Sequence, residues 1–244
     1  MYEQEKLLYA KTDHLITLAK FTTQHLIEDY RIAADKIHFI PNGMEDKGVP
    51  FSSQEKNRVK SNLYFNLSEK IILFVGRLNE GKGLHFLIEA FKKVLEQDTN
   101  CRLIIAGEGD YATYYKGCSP FWGKITFTGH LKKEELYNLY QIADLGVLPS
   151  LHEQCSYVAI EMLMFDIPLL ISNAIGLNEM MEGVEKLELR QSDTRTDISV
   201  EELASSILKQ LSAKREKGFY RNMYLQNYSL SGMKDKIKNL YAAL

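Results

Sequence analysis

No apolar run in this sequence reaches the ~18 residues a bilayer-crossing helix needs, and the opening MYEQEKLLYAKTD lacks the order of a secretory signal. Cysteine is scarce. Cys101, Cys118 and Cys155 form no C-x-x-C pair, and three thiols leave one over in any disulfide scheme, which excludes a zinc site or a disulfide framework as the organising feature. These absences suit a reducing cytoplasm, with peripheral attachment at the inner membrane as the one membrane-linked expectation. A surplus of positive charge is also missing: 30 Lys and Arg against 32 Asp and Glu give a net charge of −2. That balance removes the electrostatic footprint of a general nucleic-acid binder. Five prolines and 15 glycines in 244 residues are too few for a disordered or low-complexity chain. What is present is ordinary folded-protein material, 45% hydrophobic and 25% charged, in a chain long enough to bury a large core.

From Ile71 onward, short β-branched runs alternate with stretches of helical period: IILFV, RLIIA, ITF, LGVL and IPLLIS are each followed by a helical segment. The alternation predicts βαβ units in an α/β fold, a Rossmann-like parallel sheet with helices on both faces. The strands are almost wholly apolar, as strands covered on both sides must be. Helices are predicted over residues 83 to 97, 110 to 117, 132 to 142, 156 to 165, 199 to 216 and 231 to 243.

The first fifty residues read differently. HLITLA and KIHFI are strand candidates flanking a helix over KFTTQHLIEDY, and PNGMEDKGVPFSS is turn-rich and the best linker candidate. Helical pattern resumes at Ser52, which has capping-box spacing to Glu55. Some forty residues seldom hold a core alone. Residues 1–45 are therefore expected to be the last elements of a preceding domain, 46–230 a full domain, and 231–244 a closing helix. HLITLA, without neighbouring strands, is expected to self-associate or to be disordered.

Three motifs carry chemistry. In FVGRLNEGKGLHFLIEAF a strand ends at Gly76, and the loop before the next helix holds Arg77, Gly81, Lys82 and Gly83. Glycines admit a ligand close to the backbone and the helix start adds positive dipole, so with Arg77 and Lys82 the loop suits a diphosphate. It is one residue short of a P-loop, because Gly83 stands where a magnesium-holding Ser or Thr is needed. The plainer alternative is a tight turn with two solvated cations. In LIIAGEGDYA, Gly107, Gly109 and Ala112 match G-x-G-x-x-A after a strand, yet ITFTGH offers no acid for a dinucleotide ribose. A glycine turn bordering a crevice is the better description. In LPSLHEQCSYVAIEML, Glu153 lies in a loop and Glu161 inside the following helix among apolar residues. A buried carboxylate there requires a hydroxyl or cation partner. Two acids so placed suit the two ends of a nucleotide sugar, against the plainer alternatives of a solvated loop acid and a helix-edge acid. Cys155 has no base arranged to activate it and is read as a small loop-to-helix residue. His152 has no triad partner in view, and Trp122 beside Pro120 is read as packing.

Taken in order, VGRLNEGKGLHFLIEAF, LIIAGEGD, FTGHL, YNLYQIADLGVLPSLHEQCSYVAIEML and IPLLIS resemble the C-terminal domain of family 4 retaining glycosyltransferases of the GT-B fold. HLITLAKFTTQHLIEDYRIAADKIHFIPNGMED resembles that family's last N-terminal-domain segment and crossover, and NYSLSGMKDKIKNLY its returning helix. The resemblance implies a nucleoside diphosphate sugar donor, no cofactor and no metal, with an unidentified glycan or lipid-linked acceptor. It implies that Arg77 and Lys82 hold the diphosphate leaving group, that Glu161 binds the ribose and that Glu153 lies near the transferred sugar. Backbone around Gly76, Gly107, Ser156 and Tyr157 would line the donor, with His130 and Leu131 near the base. The chain departs from the family where Ser156 and Asp166 replace frequent glycines. Activity is expected to need the family's first domain. A nucleotide-sugar-binding module without transfer, and a GT-B-like sugar-nucleotide epimerase, are the competing expectations.

Overall fold

The computed structural model describes residues 2–119, 121–192, 195–214 and 216–244. The chain begins with α1 (Tyr2–Lys11), β1 (Leu15–Thr17), α2 (Lys20–Glu28), β2 (Ile37–Phe39) and α3 (Ser53–Asn62). The alternating region follows as β3 (Lys70–Val75), α4 (Leu84–Gln97), β4 (Cys101–Ala106), α5 (Tyr111–Gly117), β5 (Ile125–Gly129), α6 (Lys133–Ile142), β6 (Leu145–Leu148), α7 (Tyr157–Met164) and β7 (Leu169–Ser172). It ends with α8 (Ile175–Met180), β8 (Glu185–Leu187), β9 (Leu189–Gln191), β10 (Thr196–Ile198), α9 (Val200–Ser212), α10 (Phe219–Asn227) and α11 (Leu230–Ala243).

The runs of Ile, Leu and Val form one parallel sheet in the order β5-β4-β3-β6-β7-β8. β3 pairs with β4 from Lys70↔Cys101 to Val75↔Ala106, and its other side takes β6 through Ile72↔Leu145 and Leu73↔Gly146. The chain thus winds outward from β3 through β4 and β5, then restarts across β3 at β6. The loops leaving β3 and β6 part at this reversal and open a crevice at the carboxyl edge, where open α/β sheets take their ligands. The period of two splits the strand residues between two cores. Ile72 and Phe74 join Leu87 and Phe91 of α4 and Leu203 and Ile207 of α9, while Ile71 and Leu73 join Leu139 of α6, Ile160 and Leu163 of α7 and Tyr224 of α10. Burying each such side chain contributes about 1.5–3 kcal/mol, so the covering of both faces is what holds the sheet.

Predicted and observed helices agree within a few residues, and Ser52 and Glu55 form the expected reciprocal cap of α3. The helix expected over 199 to 216 stops at Ser212, and residue 215 within that range lies outside the described residues. Pro120, beside which Trp122 was read as packing, lies outside them as well. Trp122 itself meets Tyr115 edge to face, ring centroids 3.8 Å apart, and so packs. α1, α10 and β8 to β10 were not predicted from the sequence, and α8 was expected only as an unbounded helical segment after IPLLIS.

The N-terminal strands do not enter the main sheet. β1 and β2 pair with each other in parallel over a small cluster of Leu26, Tyr30, Ile32 and Ile37. Their anchor to the rest of the chain is Glu179 of α8, whose two carboxylate oxygens accept from the backbone N–H groups of Lys20 and Phe21, both at 2.8 Å. Because Ala19 at the start of α2 has no capping side chain, Glu179 supplies the missing cap from a distant segment. Residues 41–52 form no helix or strand, yet they are strapped down. The Asp46 carboxylate meets the Arg221 guanidinium, Phe51 N–H donates to Gln141 Oε1 at 2.9 Å, and Met44 N–H donates to Tyr228 O at 2.9 Å. Leu230 N–H then donates to Met44 O at 2.8 Å, which lays the start of α11 alongside the strap. Asp166 sits at φ 58, a left-handed geometry glycine adopts without strain. Its carboxylate accepts from Gly218 N–H at 2.8 Å and Arg221 N–H at 3.1 Å, so the side chain that strains the turn also ties it to α10.

Candidate functional site

Two glycine-bearing loops are zipped together at the carboxyl edge. Beyond β3 and β4 the ladder continues through Gly76 N–H to Ala106 O at 3.0 Å and Leu78 N–H to Glu108 O at 2.7 Å. A Cβ on Gly107 would lie 1.9 Å from Gly76 O, and one on Gly109 would lie 2.3 Å from Leu78 O. Both glycines also hold positive φ, 141 and 150. The G-x-G pattern therefore serves backbone approach between loops, which agrees with a glycine turn and not with a dinucleotide fingerprint. Between Asn79 and α4 the chain makes a 3-10 turn over Glu80–Lys82 and reaches Gly83 at φ 65, the tight turn that the sequence offered as the plainer alternative. A Cβ there would come 2.0 Å from Pro149 O, so the β3 loop packs directly on the β6 loop.

A cleft of about 740 Å³ opens between these loops, with Arg77, Lys82 and Glu153 on its walls. Lys82 Nζ pairs with Glu153 Oε2 at 2.6 Å. Arg77 is exposed and has no ion pair or side-chain hydrogen bond among the described residues. A neighbouring cleft of about 250 Å³ is lined by Gly76, Arg77, Gly107, His130 and Leu131, with Val75, Ala106, Glu108 and Leu136. Arg77 borders both clefts. The sequence candidates that line these clefts thus sort into a charged chamber and a small, more apolar one, joined at the Arg77 guanidinium.

Glu161, Ser156 and Tyr157 line neither cleft. Glu161 is buried in α7, and its Oε2 accepts from the Tyr140 hydroxyl at 2.7 Å. The required hydroxyl partner is therefore there, and it comes from the protein. Burial pushes the Glu161 carboxyl up from its ordinary value against the pull of that hydrogen bond, and burial beside Glu161 pushes the Tyr140 phenol well up. Oε1 of Glu161 accepts no hydrogen bond from the described residues. Ser156 is buried and caps α7 through its hydroxyl to Ala159 N–H at 3.3 Å, and its own N–H is turned to Met180 Sδ at 3.3 Å, a weak acceptor. Tyr157 is 52% exposed. Cys155 is half-buried and takes a contact from Asn42 Nδ2 at 3.3 Å, and burial pushes its thiol up, away from nucleophile behaviour.

Sequence reasoning missed part of the larger cleft. Asn173, Ala174 and Ile175 border it at the end of β7 and the start of α8, and Phe21 comes from α2. Position at the carboxyl end of IPLLIS was an available signal for Asn173. Phe21 carried none, because α2 is held at the cleft by long-range contacts such as the Glu179 cap.

Residues 54–215 match the family described as Glycosyl transferases group 1. The chain belongs to this family. An uncharacterized glycosyltransferase of Methanocaldococcus jannaschii is 32% identical over 187 residues, covering 75% of the chain and 48% of that relative. Mannosylfructose-phosphate synthase of Agrobacterium fabrum is 29% identical, covering 72% of the chain and 41% of the relative. The chain spans about half the length of the curated relatives it matches. Among solved structures, a glycosyltransferase from Rickettsia africae superimposes with a TM-score of 0.81 at 22% identity, covering 97% of this chain and 65% of that one. Anabaena HepE in complex with UDP and glucose gives 0.78 at 17% identity, covering 95% and 63%. These likenesses show the fold, the parallel α/β domain of GT-B glycosyltransferases. In this glycosyltransferase domain no described helix is long and apolar enough to cross a membrane.

Proposed function

We propose that this domain binds a nucleoside diphosphate sugar across the carboxyl edge of the sheet and acts in glycosyl transfer with retention when joined to an acceptor-binding half. The base end enters the small cleft beside Gly107, His130 and Leu131. The diphosphate lies on Arg77 and Lys82, and the sugar points toward Glu153. The observation that carries this placement is Arg77, a cation without an ion pair among the described residues, on the wall common to both clefts. Hydrogen bonds from cations to a diphosphate are worth about 1.5–3 kcal/mol each. Contacts that strengthen as the anomeric bond breaks lower the barrier, so two fixed cations take the place of a metal in stabilising the leaving group.

Glu161 lines neither cleft, but its Oε1 has no donor among the described residues while Oε2 holds Tyr140, and that oxygen is the acceptor assigned in this reading to a ribose hydroxyl. The backbone at Ser156 and Tyr157 stands behind the diphosphate at the start of α7. Residues 1–45 then belong to the acceptor side and the crossover, 46–230 form the donor domain, and 231–244 return toward the acceptor side. The acceptor, a glycan or lipid-linked molecule, is held by the other half of the enzyme. The HepE complex with UDP and glucose supports a sugar-nucleotide ligand. A thermal-shift panel of UDP, GDP, ADP and their glucose or mannose derivatives, run in EDTA, tests the donor class. Stabilisation by at least one nucleotide without divalent metal is expected, and a strict magnesium requirement contradicts the metal-free diphosphate site.

A further inference from the structure

Lys82 Nζ and Glu153 Oε2 pair at 2.6 Å. Their side chains are only 23% and 14% exposed, so the contact is shielded from bulk water. The backbones that carry them cannot separate easily. Leu151 N–H donates to Gly81 O at 2.8 Å, Gly176 N–H donates to Glu153 O at 3.0 Å, and Gly83 packs without room for a Cβ against Pro149 O. Side-chain torsions are the remaining way to change what Lys82 and Glu153 touch. A diphosphate held on Arg77 and Lys82 therefore arrives next to a carboxylate fixed within one side chain's reach.

Resting on the donor-site reading, we propose that Glu153 competes with the diphosphate for Lys82 and thereby makes the cleft select an intact nucleotide sugar over the bare nucleoside diphosphate. A bare diphosphate takes Lys82 and leaves the Glu153 carboxylate shielded, unpaired and facing like charge, which is unfavourable on both counts. An intact sugar brings hydroxyl donors to that carboxylate and restores the partner it lost. Once the sugar has left, Glu153 recaptures Lys82 and weakens the hold on the departing diphosphate. One ion pair thus links occupancy of the sugar position to retention of the nucleotide.

The experiment is calorimetric titration of the full chain with UDP, GDP and ADP, then with the glucose derivative of the nucleotide that binds, for the wild type, Glu153→Gln and Glu153→Asp. Glu153→Gln keeps the shape and removes the charge. Its affinity for the bare diphosphate is expected to rise roughly three- to tenfold while its preference for the sugar derivative falls. Glu153→Asp keeps the charge on a shorter arm and should stay as weak toward the bare diphosphate as the wild type. Far-UV circular dichroism confirms that each variant is folded. If the wild type binds a nucleoside diphosphate and Glu153→Gln binds it no more tightly, the competition is overturned and the donor site stands. If none of the three nucleotides binds either protein, the donor site itself is overturned.

Discussion

The Tyr140 hydroxyl and Glu161 Oε2 meet at 2.7 Å between α6 and α7, with Tyr140 1% and Glu161 8% exposed. The bond compensates a carboxylate in an otherwise apolar helix. Tyr140→Phe deletes the donor and leaves that carboxylate uncompensated, at an expected cost of about 1–3 kcal/mol. The pH dependence follows from the raised pKa of Glu161. A group raised in the folded state contributes its stability fully below its unfolded pKa and loses that contribution as pH rises through the folded value. Without Tyr140 the folded value rises further, so the deficit of the variant should be larger at pH 8 than at pH 5. Urea midpoints at the two pH values measure it, and an equal deficit at both contradicts the assignment.

Gly107→Ala tests the zipped loops. The added methyl meets Gly76 O at 1.9 Å from a backbone at φ 141, so the β3 and β4 loops must move apart. A loss of about 2 kcal/mol or more is expected, with nucleotide affinity falling too because Gly76 and Arg77 move with the loop. Gly123→Ala is the control, since a Cβ at that position meets nothing within 4 Å. Thermal unfolding of both variants reads the contrast, and equal melting temperatures would contradict it.

Glu179→Ala removes the cap of α2. The amides of Lys20 and Phe21, each bonded to Glu179 at 2.8 Å, lose their acceptor, and faster hydrogen exchange should be confined to residues 20–28 and the adjoining β1 and β2. Exchange in β3, β4 and β6 should stay at wild-type rates, because those strands are buried in other clusters. Unchanged exchange at α2 would show that the N-terminal segment is held by something other than this cap.

Much of this architecture was legible in the sequence because its signals are local. Strands buried on both faces must be apolar throughout, and the helices between them must be amphipathic, so IILFV, RLIIA and LGVL mark the sheet without help from distant residues. The loop proposed to take the diphosphate is legible for the same reason, since Gly76, Arg77 and Lys82 lie within seven residues of one strand end. What the sequence hid depends on long-range partners. The pairing of Lys82 with Glu153 spans 71 positions, and Phe21 reaches the cleft through a cap supplied 158 positions away. α8 is six residues long and contains a glycine, too short for a periodic signal. Glu161 was legible as a residue needing a partner, and the identity of that partner as Tyr140 was not.

The central claim is that one guanidinium joins the base cleft to the sugar cleft and anchors a diphosphate without metal. Calorimetric titration of UDP, GDP and ADP into the wild type and Arg77→Ala, in EDTA, tests it most directly. One nucleoside diphosphate is expected to bind the wild type at one site and to bind Arg77→Ala at least about tenfold more weakly, the loss of one charge-assisted contact. Equal affinity in the two proteins, or binding that appears only with magnesium, would contradict it.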